Sequence, residues 1–297
     1  MDIRDMNYVW EVARHGSFTK AAEALHVTQP TISKMIKRLE EELGVTLFLR
    51  TGKKAELTDA GKAVAAHAET MVSSFRSLKE ELNDLTGFRK GSIRLGLPPM
   101  VGVSFFPEMM GRFGERYPGI AIRMVEDGSK KLENELRGGG LDVAVILLPT
   151  GDSALDGYVF VEESLQLVLS PLHPLADKES IRLAELAREP FILFREDFAL
   201  NDRILAACRE AGFEPRVAYE SAQWDFISRM AAERLGVALL PTTICRQLDP
   251  GRIRVVPLND PIIPWRLAMM WRKEGYLSFA AREWIRFSRE RLQEIGT

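Results

Sequence analysis

The chain has 297 residues, of which 46% are hydrophobic and 28% charged, with a formal net charge of −2. This length suits two or three compact units, and the ordinary composition, without any long apolar run, excludes disordered, collagen-like and membrane-spanning classes. The small net charge argues against a general polyanion binder, so any surface for nucleic acid must be a local patch.

The first two predicted helices are short and packed closely together. The first carries a core-facing stripe at helical spacing, formed by Met6, Val9, Trp10 and Ala13. The second spans residues 18–25 behind Ser17, a good N-cap. Small side chains at 21, 22 and 24 would let a neighbouring helix approach it closely.

A third predicted helix begins at the N-cap Thr28 and tolerates Pro30 in its first turn. One side is an apolar stripe of Ile32, Ile36, Leu39 and Leu43. The other side presents Thr31, Lys34, Lys37 and Arg38. Residues 28–38 include three basic and no acidic side chains, and three glutamates follow at 40–42, a polarity that suits end-on insertion into a DNA groove. A surface helix with scattered charges is the alternative, but the short helix before it makes the pair typical of a helix-turn-helix.

Residues 45–50 and 55–58 are two β-like runs around a Gly-Lys turn, which predicts a hairpin. Lys53 and Lys54 at its tip are placed to contact the sugar-phosphate backbone. The hairpin would form the wing of a winged helix-turn-helix, an all-α unit with a β wing.

A long helix is predicted from about residue 59, behind the cap Thr58. Its apolar side chains follow steps of four and three residues, a heptad seam. The seam consists of Val64, Ala68, Met71, Phe75, Leu78, Leu82 and Leu85. A second copy of the chain is expected to cover it, and the twofold pair would present two reading helices to two half-sites. The alternative is a helix lying on its own domain.

From residue 92 onward, short apolar runs alternate with helical stretches, which indicates an α/β domain with largely parallel sheets.

The run SFTKAAEALHVTQPTISKMIKRLEEELGVTLFLR, followed by LTDAG, closely resembles the LysR-type transcriptional regulators. The match is dense over residues 1–61 and extends over the remaining chain in layout. By this resemblance Gln29, Thr31, Ser33, Lys34 and Arg38 fall where the family contacts DNA, and Arg50 and Thr58 where it stabilises the wing and nearby phosphate contacts. The full set expected at the DNA is Ser17, Thr28, Gln29, Pro30, Thr31, Ser33, Lys34, Lys37, Arg38, Arg50, Lys53, Lys54 and Thr58.

The resemblance implies a DNA-binding domain at 1–58, a linker and dimerisation helix at 59–89, and an effector-binding domain at 90–297 that is similar in fold to periplasmic solute-binding proteins. Its two subdomains would comprise about 90–164 with 266–297, and about 165–265, on either side of a cleft. Proteins of this family pair through the linker helix, and many pair further into homotetramers.

Four segments at strand ends and helix starts are expected to line the cleft, although each also reads as an ordinary loop. Their candidate effector-binding residues are Pro99, Met100, Val101, Gly128, Ser129, Arg195, Phe198, Gln223 and Trp224. Many family members carry hydroxyl residues after the first strand of this domain, where this chain has Pro98, Pro99 and Met100. A smaller, more apolar pocket is therefore expected, with polar contacts shifted to Ser129, Arg195 or Gln223.

The stretches GLPPM, LFREDFAL, QWDFIS and WRKEGYLSFA resemble the subgroup that governs holin-like proteins and acetate or pyruvate overflow metabolism. On that ground we expect a small monocarboxylate effector. The other expected partners are double-stranded promoter DNA, a second copy of the chain and RNA polymerase, and activation is the family's commoner mode.

No catalytic role is expected, because the chain lacks GxSxG, P-loop, CxxC and HExxH motifs. Cys208 and Cys245 read as buried small residues, and His15 and His26 lack a surrounding ligand cluster, so neither a metal nor a cofactor is expected. A stand-alone solute-binding protein would leave residues 1–61 unexplained, and a DNA-architectural protein would leave the α/β domain unused. The charged N-terminus does not resemble a signal peptide, which predicts a cytoplasmic protein.

Overall fold

The computed structural model of the chain describes residues 1–51, 54–85, 91–151 and 153–295. They form two compact units, the first built on Met1–Phe88 and the second on most of the chain that follows. Each unit has its own hydrophobic core.

The first unit contains, in chain order, α1 (Ile3–His15), α2 (Phe18–Ala24), α3 (Gln29–Leu43), β1 (Phe48–Thr51), β2 (Lys54–Leu57) and α4 (Asp59–Leu85). α1 begins with a capping box, in which Asp2 accepts hydrogen bonds from the backbone N–H groups of Arg4 and Asp5 and Asp5 accepts one in return. Gly16 and Gly44 end α1 and α3 in the left-handed conformation, with φ of 57° and 69°. Glycine adopts this conformation without a side-chain penalty, so both helices can stop sharply.

The core of the first unit lies between α1, α3 and α4. The stripe predicted on α3 is buried at Ile32, Ile36 and Leu39, but Leu43 is exposed because it stands at the last residue of the helix, beyond the core. The α4 side chain of Ala68 is buried in the same core.

Only two of the three small residues predicted to allow close packing on α2 are buried. Ala21 and Ala22 are buried, whereas Ala24, the last helical residue, is exposed. Ser17 is the N-cap and accepts a long hydrogen bond of 3.4 Å from the Lys20 N–H. The second helix therefore packs through its first two turns.

The second unit combines helices with strands in the order β3 (Gly91–Leu97), α5 (Pro99–Phe105), α6 (Pro107–Arg116), β4 (Ile120–Glu126), α7 (Ser129–Arg137), β5 (Val143–Leu148), β6 (Leu155–Leu169), β7 (Ile181–Arg182), a 3-10 turn (Leu183–Leu186), β8 (Pro190–Phe194), α8 (Ala199–Glu210), β9 (Arg216–Ser221), α9 (Trp224–Ala232), β10 (Ala238–Pro241), α10 (Thr242–Cys245), β11 (Arg254–Asp260), β12 (Pro264–Arg272) and α11 (Phe279–Ile295). No helix in the described part of the chain combines the length and the apolar character that a bilayer crossing needs.

The main sheet has the strand order β4-β3-β5-β12-β6-β11-β7, with β10 also paired to β6, while β8 and β9 form a separate parallel pair. β3 is parallel to both β4 and β5, but β12 is antiparallel to β5 and β6, and β6 is antiparallel to β10 and β11. The expectation of largely parallel sheets is therefore wrong: the sheets are mixed. β11 and β12 follow one another in the chain and both run antiparallel to β6, although residues 170–253 lie between β6 and β11.

The long strand β6 changes partners part-way along its length. Residues 155–164 pair with β12, and residues 165–169 pair with β10 and β11. The register places Pro264, the first residue of β12, opposite Ser164. The two neighbouring strands β6 and β12 thus run through the middle of the second unit, and the ends of β3 and β5 and the start of α8 meet beside the first residues of β12.

Candidate functional site

One side of α3 is buried in the core of the first unit, and the other side is exposed to solvent. Ile32, Ile36 and Leu39 are fully buried, while Thr31, Lys34 and Lys37 on the other side are exposed. Lys34 has no acidic partner among the described residues, and Lys37 makes only a 3.9 Å contact with exposed Glu41. This arrangement presents hydroxyl and cationic groups to a polyanion from a helix whose position the core determines.

Hydroxyl and amide groups at the start of α3 are paired with one another. Thr28 is the N-cap residue, but its hydroxyl contacts the Thr31 hydroxyl at 2.8 Å and makes no capping bond to the backbone. One reason is that Pro30, the second helical residue, has no N–H to offer. Gln29 donates to the Ser33 hydroxyl at 2.7 Å. The first turn of α3 therefore carries a preordered polar surface.

Arg38 is held by the protein itself. Its Nη2 donates to the two carboxylate oxygens of Asp5 on α1, at 2.8 and 3.0 Å. The Asp5 side chain is 1% exposed and that of Arg38 is 55% exposed. The guanidinium thus joins α3 to α1 while part of it still faces solvent.

The wing is attached to α3 and α4 by hydrogen bonds. Glu40 accepts from the backbone N–H groups of Leu47 and Phe48, at 2.7 and 3.1 Å. Thr58 donates to the Thr46 carbonyl at 2.6 Å and accepts from the Gly61 N–H at 2.9 Å. Thr58 therefore caps α4 and fixes the hairpin at the same time.

Of the predicted wing residues, Lys54 is exposed. Lys53 lies outside the described residues, and so does the side chain of Arg50, whose backbone belongs to β1. The hairpin itself pairs Phe48 with Leu57 across two antiparallel strands.

The seam predicted on α4 divides into two parts. Val64 and Ala68 pack into the core of the first unit, so for these two the alternative of a helix lying on its own domain is correct. Four apolar side chains further along the helix are between 46% and 55% exposed: Met71, Phe75, Leu78 and Leu82. The side chain of Leu85 lies outside the described residues.

An apolar cavity lies in the second unit where the carboxyl ends of β3, β5 and β8 and the start of β12 meet the start of α8. Its lining consists of Pro98, Met100, Val101, Ser129, Leu147, Phe194, Phe198, Ala199, Leu200, Trp265 and Leu267. The polar side-chain groups among them are the Ser129 hydroxyl and the Trp265 indole N–H, and the Ser129 hydroxyl has no hydrogen-bond partner among the described residues. The void is about 20 Å³, room for roughly one water molecule.

Four of the nine predicted pocket residues line this cavity: Met100, Val101, Ser129 and Phe198. The other five do not. Among them, Arg195 pairs with Asp197 on the surface, and Gln223 is exposed with its backbone N–H bonded to the Ser221 hydroxyl. Sequence reasoning missed Leu147, Trp265 and Leu267, which lie inside apolar strands where only the three-dimensional arrangement distinguishes a pocket wall from ordinary core.

The two sides of the cavity are joined by polar contacts. Lys130 at the start of α7 donates to Asp202 on α8 and to the Glu196 carbonyl, both at 2.6 Å. A Cβ on Gly128 would lie 2.5 Å from the Asp197 carbonyl oxygen, so these segments approach at backbone distance. Because the cavity has space for about one water, a larger ligand requires its walls to move apart.

Both cysteines lie away from any reactive environment. Cys208 and Cys245 are free and buried. Burial raises the pKa of each thiol to about 12, with the negative charge of Glu214 and Glu163 respectively as the next cause.

A winged helix-turn-helix with an exposed cationic reading helix, joined to an α/β unit that encloses a cavity, defines a DNA-binding transcription regulator with an effector-binding domain. Residues 3–62 match the family model for bacterial regulatory helix-turn-helix proteins of the lysR family, and residues 86–293 match the LysR substrate binding domain. The chain belongs to the LysR family of transcription regulators.

The chain is 51% identical to YwbI, an HTH-type transcriptional regulator of Bacillus subtilis (strain 168), over 98% of this chain and 97% of that protein. It is 28% identical to the hydrogen peroxide-inducible genes activator of Pectobacterium carotovorum subsp. carotovorum, over 92% of this chain and 90% of that protein. A full-length OxyR variant from Pseudomonas aeruginosa has a similar structure, with a TM-score of 0.69, 26% identity, and coverage of 99% and 98% of the two chains. These relatives bear the names of regulators, and the expectation that the chain is not an enzyme is confirmed.

Proposed function

We propose that this regulator reads a promoter operator with α3 as a twofold pair of chains, and that a small monocarboxylate in the cavity of the second unit modulates this binding. The observation that carries the DNA part is the free, polar side of α3 over a buried apolar stripe. Base-edge contact falls to Gln29, Thr31, Ser33 and Lys34.

The remaining DNA contacts are proposed to be backbone contacts that position the reading helix. They are assigned to Ser17, Thr28, Pro30, Lys37, Arg38, Arg50, Lys53, Lys54 and Thr58. Arg38 and Thr58 already make hydrogen bonds within the first unit, so their part in DNA binding is largely to hold α3 and the wing in place.

Pairing is proposed to run through the exposed half of α4. Four large apolar side chains in a row on one helix face, each about half exposed, are costly in water and typical of a surface that another chain covers. A homodimer covers the α4 surface, and a homotetramer is the proposed larger assembly. The dimer matters for DNA because its two reading helices would contact two half-sites.

Size and polarity of the cavity support a small effector. The lining offers one free hydroxyl and one indole N–H in an otherwise apolar wall, and the cavity has space for about one water. A compound of a few heavy atoms with one polar end fits these properties better than a bulky aromatic acid does. The resemblance to regulators of holin-like proteins and overflow metabolism points in the same direction and suggests acetate or pyruvate.

In this proposal, residues 1–58 bind DNA, residues 59–89 pair two chains, and residues 90–297 bind the effector. Within the last, subdomains at about 90–164 with 266–297 and at about 165–265 are supported by the change of partners along β6. The protein would act in the cytoplasm as an activator that contacts RNA polymerase at the promoter.

A response to peroxide is the second candidate, because one relative bears the name of a peroxide-inducible activator. Peroxide sensing by cysteine requires an accessible thiolate. The two thiols of this chain are buried with strongly raised pKa values, which favours the small-molecule effector.

The experiment combines calorimetry with DNA binding. The full-length protein is titrated with acetate, pyruvate and a panel of aromatic acids, and its affinity for the promoter region beside its own gene is measured with and without each compound. Binding of a small monocarboxylate together with a change in operator affinity is expected. Binding of a bulky aromatic acid alone would refute the effector assignment, and indifference to every duplex would refute operator reading.

A further inference from the structure

The indole N–H of Trp265 is a buried hydrogen-bond donor at the wall of the cavity. Trp265 is the second residue of β12, is 2% exposed and lines the cavity. Its indole N–H donates to no group in the part of the chain that the structure describes. A buried tryptophan usually pairs this donor, because an unpaired N–H in the interior is costly. The donor is therefore available to an acceptor from outside the chain.

The carboxylate that lies opposite Trp265 is already bound elsewhere. Glu163 of β6 is the direct neighbour of Trp265 in the antiparallel pair of β6 and β12, and side chains at such positions extend to the same face of the sheet. Its two oxygens accept the backbone N–H of Thr243 at 3.0 and 3.1 Å, and one of them also accepts the Thr243 hydroxyl at 2.8 Å. Glu163 thus holds the start of α10 and leaves the indole without a carboxylate partner.

The sheet fixes the position of this indole. The carbonyl of Pro264, the residue before Trp265, accepts a hydrogen bond from Arg203 on α8 at 2.9 Å. Leu267, two residues further along β12, pairs with Leu147 of β5, and both line the same cavity. A donor that is carried by a central strand keeps its direction better than one on a loop, which suits it to recognise a ligand.

We infer that Trp265 determines the specificity of the effector site, because its indole N–H donates a hydrogen bond to an acceptor oxygen of a small ligand. This inference rests on the proposed function, that an effector binds in this cavity. The Ser129 hydroxyl, which also lacks a partner, belongs to α7, so the cavity has two polar groups on different elements. The void has room for about one water, and a ligand oxygen in that place would receive the N–H.

Hydrogen bonding by Trp265 selects for an acceptor oxygen rather than for charge. A compound of the same shape without such an oxygen would leave the buried N–H unpaired, and sites of this kind reject analogues that lack the matching polar group. The indole and the Ser129 hydroxyl are both neutral, so a carboxylate and a neutral amide share the chemistry that they recognise. The experiment therefore includes one compound of each kind.

Calorimetric titration of the full-length protein uses acetate, pyruvate and acetamide, the last as an uncharged compound of the size of acetate. The test variant is Trp265→Phe, which keeps an aromatic ring and removes the donor. The matched control is Trp284→Phe, because Trp284 also has a buried indole N–H without an acceptor but packs against Phe106 and Phe113, away from the cavity lining. We expect a probe to bind the parent and the control equally, and Trp265→Phe to lose about tenfold or more in affinity.

Nuclear magnetic resonance of the indole N–H groups separates the donor role from a merely structural one. The chain has five tryptophans, and the signal of Trp265 is the one missing from the spectrum of Trp265→Phe. If that variant is unstable, replacing the other tryptophans one at a time identifies the same signal. With saturating probe, the Trp265 proton of the parent should shift downfield and exchange more slowly with water, whereas the Trp284 signal should not change. A Trp265 signal that does not move when a probe binds would overturn the inference, even where Trp265→Phe weakens binding.

The outcomes also distinguish the inference from the proposed function. If acetate or pyruvate binds and changes operator affinity equally in the parent and in Trp265→Phe, the donor role is wrong and the proposed effector stands. If acetamide binds with the expected dependence on Trp265 and no carboxylate does, the donor role stands and the monocarboxylate is wrong. If none of the three compounds binds the parent protein, the inference is overturned.

Discussion

Arg38 on the reading helix α3 and Asp5 on α1 form a two-point ion pair, with Nη2–Oδ distances of 2.8 and 3.0 Å. Asp5 is almost fully buried, and it also accepts the backbone N–H of Asp2 as part of the α1 capping box. The pair thus connects the start of the chain to the helix that reads DNA. Arg38, which the sequence assigns to DNA contact, is therefore also paired with Asp5 within the protein.

Replacing Arg38 by Ala should destabilise the first unit, because it leaves the buried carboxylate of Asp5 with only the N-terminal ammonium, 4.0 Å away, as a counterion. We expect a loss of about 1–3 kcal/mol, below the full cost of breaking a buried pair since the guanidinium is half exposed. Amide hydrogen exchange of α1 and α3 in the full-length protein measures it. The control is Lys37→Ala, which removes only an exposed contact; equal exchange in the two variants would show that the Arg38–Asp5 pair contributes nothing.

Lys34 should show the opposite pattern. Lys34→Ala should leave the melting temperature unchanged, because the side chain is exposed without an acidic partner, and should weaken operator binding by about 1–3 kcal/mol if it contacts a base edge. Anisotropy titrations with operator and scrambled duplexes at several salt concentrations measure this. A mere phosphate contact would weaken both duplexes alike and reduce the salt slope by about one.

Lys178→Ala is the matched control for Lys34, since it removes the same charge from the second unit, where the lysine pairs with Glu185. Operator affinity that falls equally in the control would mean a general charge effect, and unchanged affinity in Lys34→Ala would remove this residue from the DNA interface.

The exposed half of α4 should decide the assembly state. Leu78→Asp together with Leu82→Asp places two charges on the seam, and we expect sedimentation to show smaller particles and apparent operator affinity to fall. Thr70→Asp with Ser77→Asp adds the same charge off the seam and should leave both properties unchanged. If the seam variant sediments like the parent protein, pairing through α4 is refuted.

The sequence predicts the features that neighbouring residues determine, and it does not predict contacts between residues that are distant in the chain. Helix caps and the buried stripe of α3 follow from local spacing, so Ser17, Ile32 and Thr58 were predictable. The heptad spacing of α4 does not reveal that Val64 and Ala68 pack on the same unit, because periodicity identifies an apolar face without identifying what covers it.

The cavity also combines residues that sequence patterns indicate with residues that only the three-dimensional fold brings there. Met100 and Ser129 stand at the starts of helices after strands, where sequence patterns indicate ligand sites. Trp265 and Leu267 sit inside a strand whose burial pattern is that of ordinary core. Their place in the wall depends on the pairing of β12 with β5 and β6, a long-range arrangement that no local spacing encodes.

Gly61 should be nearly irreplaceable for packing reasons. A Cβ at this position would lie 2.0 Å from the Leu47 carbonyl oxygen, at the junction where Thr58 joins α4 to the wing. Gly61→Ala should therefore cost about 3 kcal/mol or more, measured as a lower melting temperature. Gly111→Ala in α6 is the control, since its Cβ would meet no atom within 4 Å. It should be neutral or stabilise by up to about 1 kcal/mol, and equal effects at both positions would contradict the packing argument.

The two cysteines should be inert to hydrogen peroxide in the folded protein. Because burial raises the pKa of both Cys208 and Cys245 to about 12, the thiolate fraction at pH 7 is about one in 10⁵, and the thiolate is the form that peroxide oxidises. Native protein treated with peroxide should keep both thiols, counted by alkylation after unfolding, and should bind its operator as before.

Protein unfolded in urea supplies the control, because exposure returns the thiols to ordinary reactivity. Since deprotonation sets the rate, reactivity of the folded chain should rise by about tenfold for each pH unit above neutrality. A sulfenic acid or a disulfide formed at neutral pH, with a change in operator affinity, would overturn this prediction and favour redox control over an effector.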